Sequence, residues 1–182
     1  MNEHKTRAGT PDPAELCVRR LRPEDALVYL PFRRAMLVDA PLAFGSSPED
    51  DRHGSDPATL AASLEKPESV IVGAWQGDRL VSAAGLAREE KLKMRHRAFI
   101  WGVWTEPGFR GRGIGERVIR ACVDLARTWS GVRVVYLAAG AGQHAAIRLY
   151  ERVGFVAWGV EPACIQYDGA LHDEVHMQLR LD

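Results

Sequence analysis

Apolar positions recur along the chain with two different spacings, and their alternation predicts interleaved helices and strands. From about 113 to 129 they fall on one side of a helix: Ile114, Val118, Cys122, Leu125, Ala126 and Trp129 form a stripe, with Arg117, Arg120, Asp124 and Arg127 on the other side. A shorter helix at about 143–152 carries Ala146, Leu149, Tyr150 and Val153 at helical spacing, and Gly154 is placed to end it. Compact apolar runs at 16–21, 69–75, 79–87, 97–106 and 132–138 read as strands. The pair at 69–75 and 79–87 brackets a Gln-Gly-Asp turn and reads as a hairpin. Residues 155–168 and 174–181 read as two closing strands around Asp168-Gly169.

Turn formers and prolines set the remaining boundaries. Pro23, Glu24 and Asp25 open a helix towards Asp39, as proline and acids do at a positive helix end. Pro31 is expected to kink that helix or divide it. Residues 41–58 are rich in turn formers and read as a long loop, with Asp50, Asp51 and Asp56 as solvated acids; a short helix follows at about 57–65. Residues 1–13 are polar, carry two prolines, and read as a disordered tail before a domain at 14–182. The order βα(α)βββαβαββ predicts a single α/β domain with a mixed central sheet of about seven strands flanked by about four helices.

Composition narrows the class. The 182 residues suit one domain, and 24 basic residues cancel 24 acidic ones. This balance argues against a broad surface for nucleic acid or anionic lipid. The basic run at 89–97 lacks interleaved aromatics and reads as a solvated connection. Cys17, Cys122 and Cys164 are far apart and form no CxxC pair, so no metal site is expected. The N-terminus has no apolar core of a signal peptide, and no apolar run reaches the roughly 20 residues of a membrane span. The expected location is cytoplasmic.

The segment Glu106-Pro-Gly-Phe-Arg-Gly-Arg-Gly-Ile-Gly115 carries the chemistry. It follows a strand and opens a long helix. Glycines let a ligand approach backbone N–H groups closely, and the helix start adds a positive dipole and free N–H donors. Arg110 and Arg112 place cations beside it. The pattern suits a phosphate or a tight structural turn. It is not a P-loop, because Glu116 rather than Lys-Ser/Thr follows the last glycine.

The run Arg110-x-x-Gly113-x-Gly115 resembles the pyrophosphate-binding motif of the GNAT N-acetyltransferase superfamily. Ala146-Ile-Arg-Leu-Tyr-Glu-Arg-Val-Gly-Phe155 is similar to its second signature, and the likeness extends from about residue 15 to the end. The segments Pro41-Leu-Ala-Phe-Gly-Ser-Ser47 and Asp173-Glu-Val-His-Met177 also resemble a subset of these enzymes. The resemblance implies direct transfer of an acetyl group from acetyl-CoA to a primary amine of a small molecule or protein, without a metal, and a homodimer. It implies that Val103, Trp104 and Thr105 line the pantetheine arm and thioester, with one N–H polarising the carbonyl. It implies that Gly111, Arg112, Gly113, Ile114, Gly115 and Glu116 hold the pyrophosphate, assisted by Arg110. It implies that Tyr150 protonates the departing thiolate; by pattern alone Tyr150 reads as a core tyrosine. Gln143 stands where the family often has asparagine.

The acceptor side is less defined. Where some relatives carry a carboxylate base, this chain has Phe99-Ile100-Trp101 and Ala138-Ala139. Glu89, Glu90, His96, Glu106, His144 and His176 are titratable substitutes, beside a water chain. Phe32, Arg33, residues 41–56, Trp158 and 161–173 are expected to border the acceptor. Two rivals stand beside this reading: a non-catalytic acetyl-CoA-sensing module, and a dinucleotide-binding oxidoreductase using Gly140-x-Gly142-x-x-Ala145 with Glu161.

Overall fold

The computed structural model describes residues 16–51 and 56–181, so the tail expected at 1–13 lies outside the described residues. Among them are seven strands and four α-helices. The chain begins with β1 (Leu16–Arg20), a 3-10 turn (Pro23–Asp25), α1 (Ala26–Asp39) and α2 (Pro57–Leu64). The hairpin β2 (Ser69–Gln76) and β3 (Arg79–Arg88) and the strand β4 (Arg97–Thr105) follow. Then come α3 (Ile114–Thr128), β5 (Val134–Gly140), α4 (His144–Val153), β6 (Val156–Tyr167) and β7 (Ala170–Arg180). One sheet runs β1-β2-β3-β4-β5-β7-β6, and every neighbouring pair is antiparallel except β4 with β5. The mixed α/β sheet expected from the apolar pattern is the one observed. No helix among the described residues is long and apolar enough to cross a membrane.

Strand alternation feeds two cores, one on each face. Val70, Val72 and Ala74 of β2 pack with Val118, Ile119, Cys122 and Ala126 of α3. Ile71 and Trp75 of the same strand pack with Tyr29, Phe32, Met36 and Leu60 of α1 and α2. A central strand buried on both faces reads as a continuous apolar run, which is how β2 and β3 appear in the sequence. The tight β6–β7 turn uses Asp168 and Gly169 at φ 49° and 75°, the left-handed pair that a two-residue hairpin demands.

Three expectations change. Pro31 lies inside an unbroken α1. It sits on the exposed face, next to Leu27 at 71% exposure, so water satisfies the carbonyl that proline leaves unpaired. Second, Gly140 and Gly142 do not open a dinucleotide fold. After α4 the chain makes a hairpin, and β7 inserts antiparallel between β5 and β6. A Cβ at Gly140 would meet the Leu42 carbonyl oxygen at 3.0 Å, so this glycine seats the turn at Pro41–Ala43. Third, of the loop acids Asp50 and Asp56 are exposed as expected, but the Asp51 side chain is not solvated. Asp50 accepts from the Ser47 N–H at 2.7 Å, and Asp56 caps α2 through the Thr59 N–H at 2.8 Å.

Asp51 is buried. The Arg33 guanidinium forks onto both its oxygens at 3.0 Å, with each side chain 5% exposed, and also lies 5.8 Å from the Trp101 ring. This pair pins the segment after α1 back onto the helix. Removing one partner leaves a buried charge without its counter-ion. Asp51→Ala is expected to lower stability by about 3–5 kcal/mol in urea unfolding; a loss below about 1 kcal/mol shows the segment is held by other contacts.

Candidate active site

The parallel pair β4 and β5 is joined only where 97–99 meet 134–136. Beyond that the strands part. On its other side β4 continues along β3, with a register shift that sets Trp101 against Gly85 and Trp104 against Ala83. Gly102 and Val103 therefore face one residue, a β-bulge, and Gly102 takes φ 60° to make it. The edge of residues 100–105 facing β5 has lost its strand partner, and its backbone groups line a cleft of about 710 Å³. Residues 137–139 of β5, the glycine loop, the start of α4 and residues 39–44 complete the walls.

The glycine loop closes one end. Gly111 and Gly113 adopt φ 74° and 72°, and neither has a neighbouring atom within 4 Å of where a Cβ would project. Gly113 is the N-cap of α3, whose first helical bond runs from the Arg117 N–H to the Gly113 carbonyl at 3.1 Å. The N–H groups of Ile114, Gly115 and Glu116 precede that bond and stay available, at the positive end of the helix dipole. Gly115 packs close instead: its Cβ would lie 3.2 Å from both Leu149 and Thr105.

The side chains around the cleft divide sharply. Val103 lines it and packs on the α3 core. Trp104 belongs to the strand wall, but its indole is buried on the other face against Phe32 at 4.9 Å and donates to Asp39 at 2.8 Å. Arg110 donates to the Thr105 carbonyl at 2.9 Å and also to Asp39, so its guanidinium braces the loop from beneath. Arg112 lies over the Phe109 ring, away from the cleft lining. Thr105 shares a 2.8 Å hydrogen bond with Ser82. Ile114 is buried, whereas Glu116 lies at the cleft rim, where bonds from Arg120 and then Arg152 hold its carboxyl below the usual range. Gln143 and Tyr150 both line the cleft. Tyr150 is 5% exposed, packs edge-on against Phe155, and receives no hydrogen bond at its hydroxyl among the described residues. Burial pushes its phenol above the ordinary value, so it stays protonated at neutral pH.

Asp39 and Gly102 escaped the sequence reading. Burial disfavours the Asp39 carboxylate, but bonds from Trp104 and Arg110 outweigh it and hold its pKa below the usual range. No local signal marks that role, since Arg110 lies 71 positions away. Gly102 did carry a signal: a glycine within a strand marks a bulge or a close approach. Of the expected acceptor border, Phe32 and Arg33 are core residues, and Phe44 of the 41–56 segment reaches the cleft.

Residues 35–155 match the model of the acetyltransferase (GNAT) family. The chain belongs to that family. It is 32% identical over 146 residues to the N-alpha-acetyltransferase RimI of Mycobacterium tuberculosis, covering 80% of this chain and 85% of that protein. It is 35% identical over 80 residues to the L-methionine sulfoximine/L-methionine sulfone acetyltransferase of Pseudomonas aeruginosa, covering 44% and 46%. The fold is shared with a GNAT acetyltransferase of Streptococcus pneumoniae (TM-score 0.81, 16% identity, 92% of this chain and 100% of that one). It is shared too with yncA of Salmonella typhimurium, solved with its cofactor acetyl-CoA (TM-score 0.76, 20% identity, 92% and 94%).

This GNAT acetyltransferase presents what acetyl-CoA needs: an unpaired strand edge for an amide-bearing arm, and open N–H donors for a diphosphate. Gly113→Val is expected to cut acetyl-CoA affinity at least tenfold by calorimetry, with a stability loss of about 1–2 kcal/mol from the left-handed backbone. Unchanged affinity would place the diphosphate elsewhere.

Proposed function

We propose that the chain transfers the acetyl group of acetyl-CoA directly to a primary amine of a small molecule or protein in the cytoplasm. The observation that carries this reading is the split between β4 and β5, with bare helix N–H donors at one end and a buried, protonated tyrosine in the wall. Residues 111–116 hold the pyrophosphate through backbone N–H groups, and Arg110 keeps the loop in shape by anchoring to Thr105 and Asp39. The strand residues 103–105 receive the pantetheine arm and thioester, and an N–H there stabilises the charge that develops on the carbonyl oxygen. Gln143, at the N-cap of α4, supplies an amide to the same arm. Tyr150 gives its proton to the departing thiolate.

A sensing module without catalysis would not need a tyrosine hydroxyl in the cleft wall that has no protein partner among the described residues. Binding of acetyl-CoA, with no binding of NAD or NADP, tests the cofactor assignment. Thiol release against a panel of a free peptide α-amine, a lysine side-chain amine and methionine sulfone tests transfer; the first and last follow the names of the two relatives above. Tyr150→Phe is expected to lower turnover about 10²-fold while leaving acetyl-CoA affinity in place. Equal turnover would make Tyr150 a packing residue.

The homodimer is proposed on the outer edge of β6, which has no strand partner. Val156, Trp158 and Val160 along it are 66%, 58% and 60% exposed. Light scattering is expected to give twice the chain mass, and Val160→Glu to halve it. A wild-type monomer at micromolar concentration rules the interface out.

A further inference from the structure

We propose that His176, oriented by Glu161, is the general base that takes the proton of the attacking amine; this rests on the acetyl-transfer reading above. An alkylammonium has a pKa near 10 and is not a nucleophile until it loses a proton. Neither strand of the split offers a base. Residues 100–105 of β4 and 137–139 of β5 contain no ionisable side chain. The acids in the cleft wall are engaged: Asp39 by Trp104 and Arg110, Glu116 by Arg120 and Arg152. His144 opens α4, the same helix that carries Tyr150, and no carboxylate holds its ring among the described residues.

His176 sits one strand away. It lies directly opposite Ala138 in the β5–β7 ladder, so both side chains leave the same face of the sheet. That face is opposite the one on which Leu137, Ala139 and Met177 enter the α3 core. Ala138 is exposed and lines the cleft. One strand spacing is about 5 Å, so the imidazole stands one strand outside the cleft lining at Ala138, and in the proposed step one water carries the proton across.

The ring is built to work there. A ring nitrogen, Nε2, lies 2.8 Å from a Glu161 oxygen, and Trp158 packs on the ring at 5.4 Å. A proton on Nε2 shared with the carboxylate orients the ring and leaves Nδ1 as an acceptor. Other groups facing it are Cys164 from β6, Glu174 on β7 itself, and Tyr136 from β5 with Arg97 stacked on it. The turn at Pro41–Ala43 adds no charge.

The step balances. The amine nitrogen bonds the acetyl carbon as the carbon–sulfur bond breaks. His176 takes the ammonium's extra proton before attack and passes it to solvent, then takes the second nitrogen proton as the amide forms, while Tyr150's proton passes to the thiolate. Solvent then takes the proton from His176 and restores the one on Tyr150.

His176→Gln and Glu161→Gln, both at partly exposed positions, separate this role from packing. With an alkylamine acceptor, His176→Gln is expected to lower kcat about 10²–10³-fold. With a weakly basic acceptor such as a hydrazide, which arrives unprotonated, the loss is expected to stay within about tenfold. Added imidazole should restore part of the rate, and the acid limb of the pH profile should move. Glu161→Gln should cost about tenfold with the alkylamine and less with the hydrazide. Melting temperature and acetyl-CoA affinity should hold in both. Equal losses across acceptors, or an unchanged kcat, overturn the assignment while leaving acetyl transfer intact. A wild-type protein that binds no acetyl-CoA, or binds it and acetylates no amine, overturns the underlying reading as well.

Discussion

Everything in this molecule that bears on chemistry follows from the way β4 and β5 part company. They are the one parallel neighbour pair in the sheet, and they stay joined for three residues. Each is then held from outside: β4 by β3 as far as the Ser82–Thr105 pairing, β5 by β7 along its whole length. Because both outer ladders are complete, the gap cannot close by either strand moving inward. The backbone groups facing it need partners, and a ligand that carries amides can provide them.

The gap is kept in shape by two polar anchors, one at the surface and one buried. Asp39 at the end of α1 gathers the Trp104 indole and the Arg110 guanidinium, so strand end, glycine loop and helix end share one carboxylate. Arg33, two turns earlier on the same helix, holds Asp51. A Cβ at Gly102 would lie 3.2 Å from that guanidinium, which ties the bulge to the ion pair. A pair as dry as Arg33–Asp51 contributes little net stability against an apolar alternative, but it specifies one arrangement of the segments it joins. Here that arrangement fixes the mouth of the cleft.

A neutral chain also distributes its charge unevenly where it matters. Arg110 of the loop and Arg120 of α3 are engaged with carbonyls and acids, and on the proposed reading backbone N–H groups meet the diphosphate. The β6–β7 hairpin on the far side gathers Glu161, Glu174 and His176 beside the exposed face of β5. On the proposed reading the cofactor end is built from the main chain, and the acceptor end from titratable side chains.

The elements readable in the sequence were those whose cause is local. The stripe from Ile114 to Trp129 needs only a 3.6-residue period, the β2–β3 hairpin only its turn, and the loop at 111–115 only glycines before a helix. Those features fixed the fold class and pointed to the cofactor end. What the tertiary structure alone decided depends on partners far apart along the chain. Arg110 turned out to brace the loop because folding delivers Asp39 to it. Asp51 turned out to be buried because α1 carries Arg33 beneath it. Pro31 did not break its helix because packing left it facing water. His176 shares a face with Ala138 only through the register of β7 on β5, since a shift of one residue would have turned it into the opposite core. Periodicity along the chain records which face a residue prefers; which side chains meet across that face is set by how the strands pair.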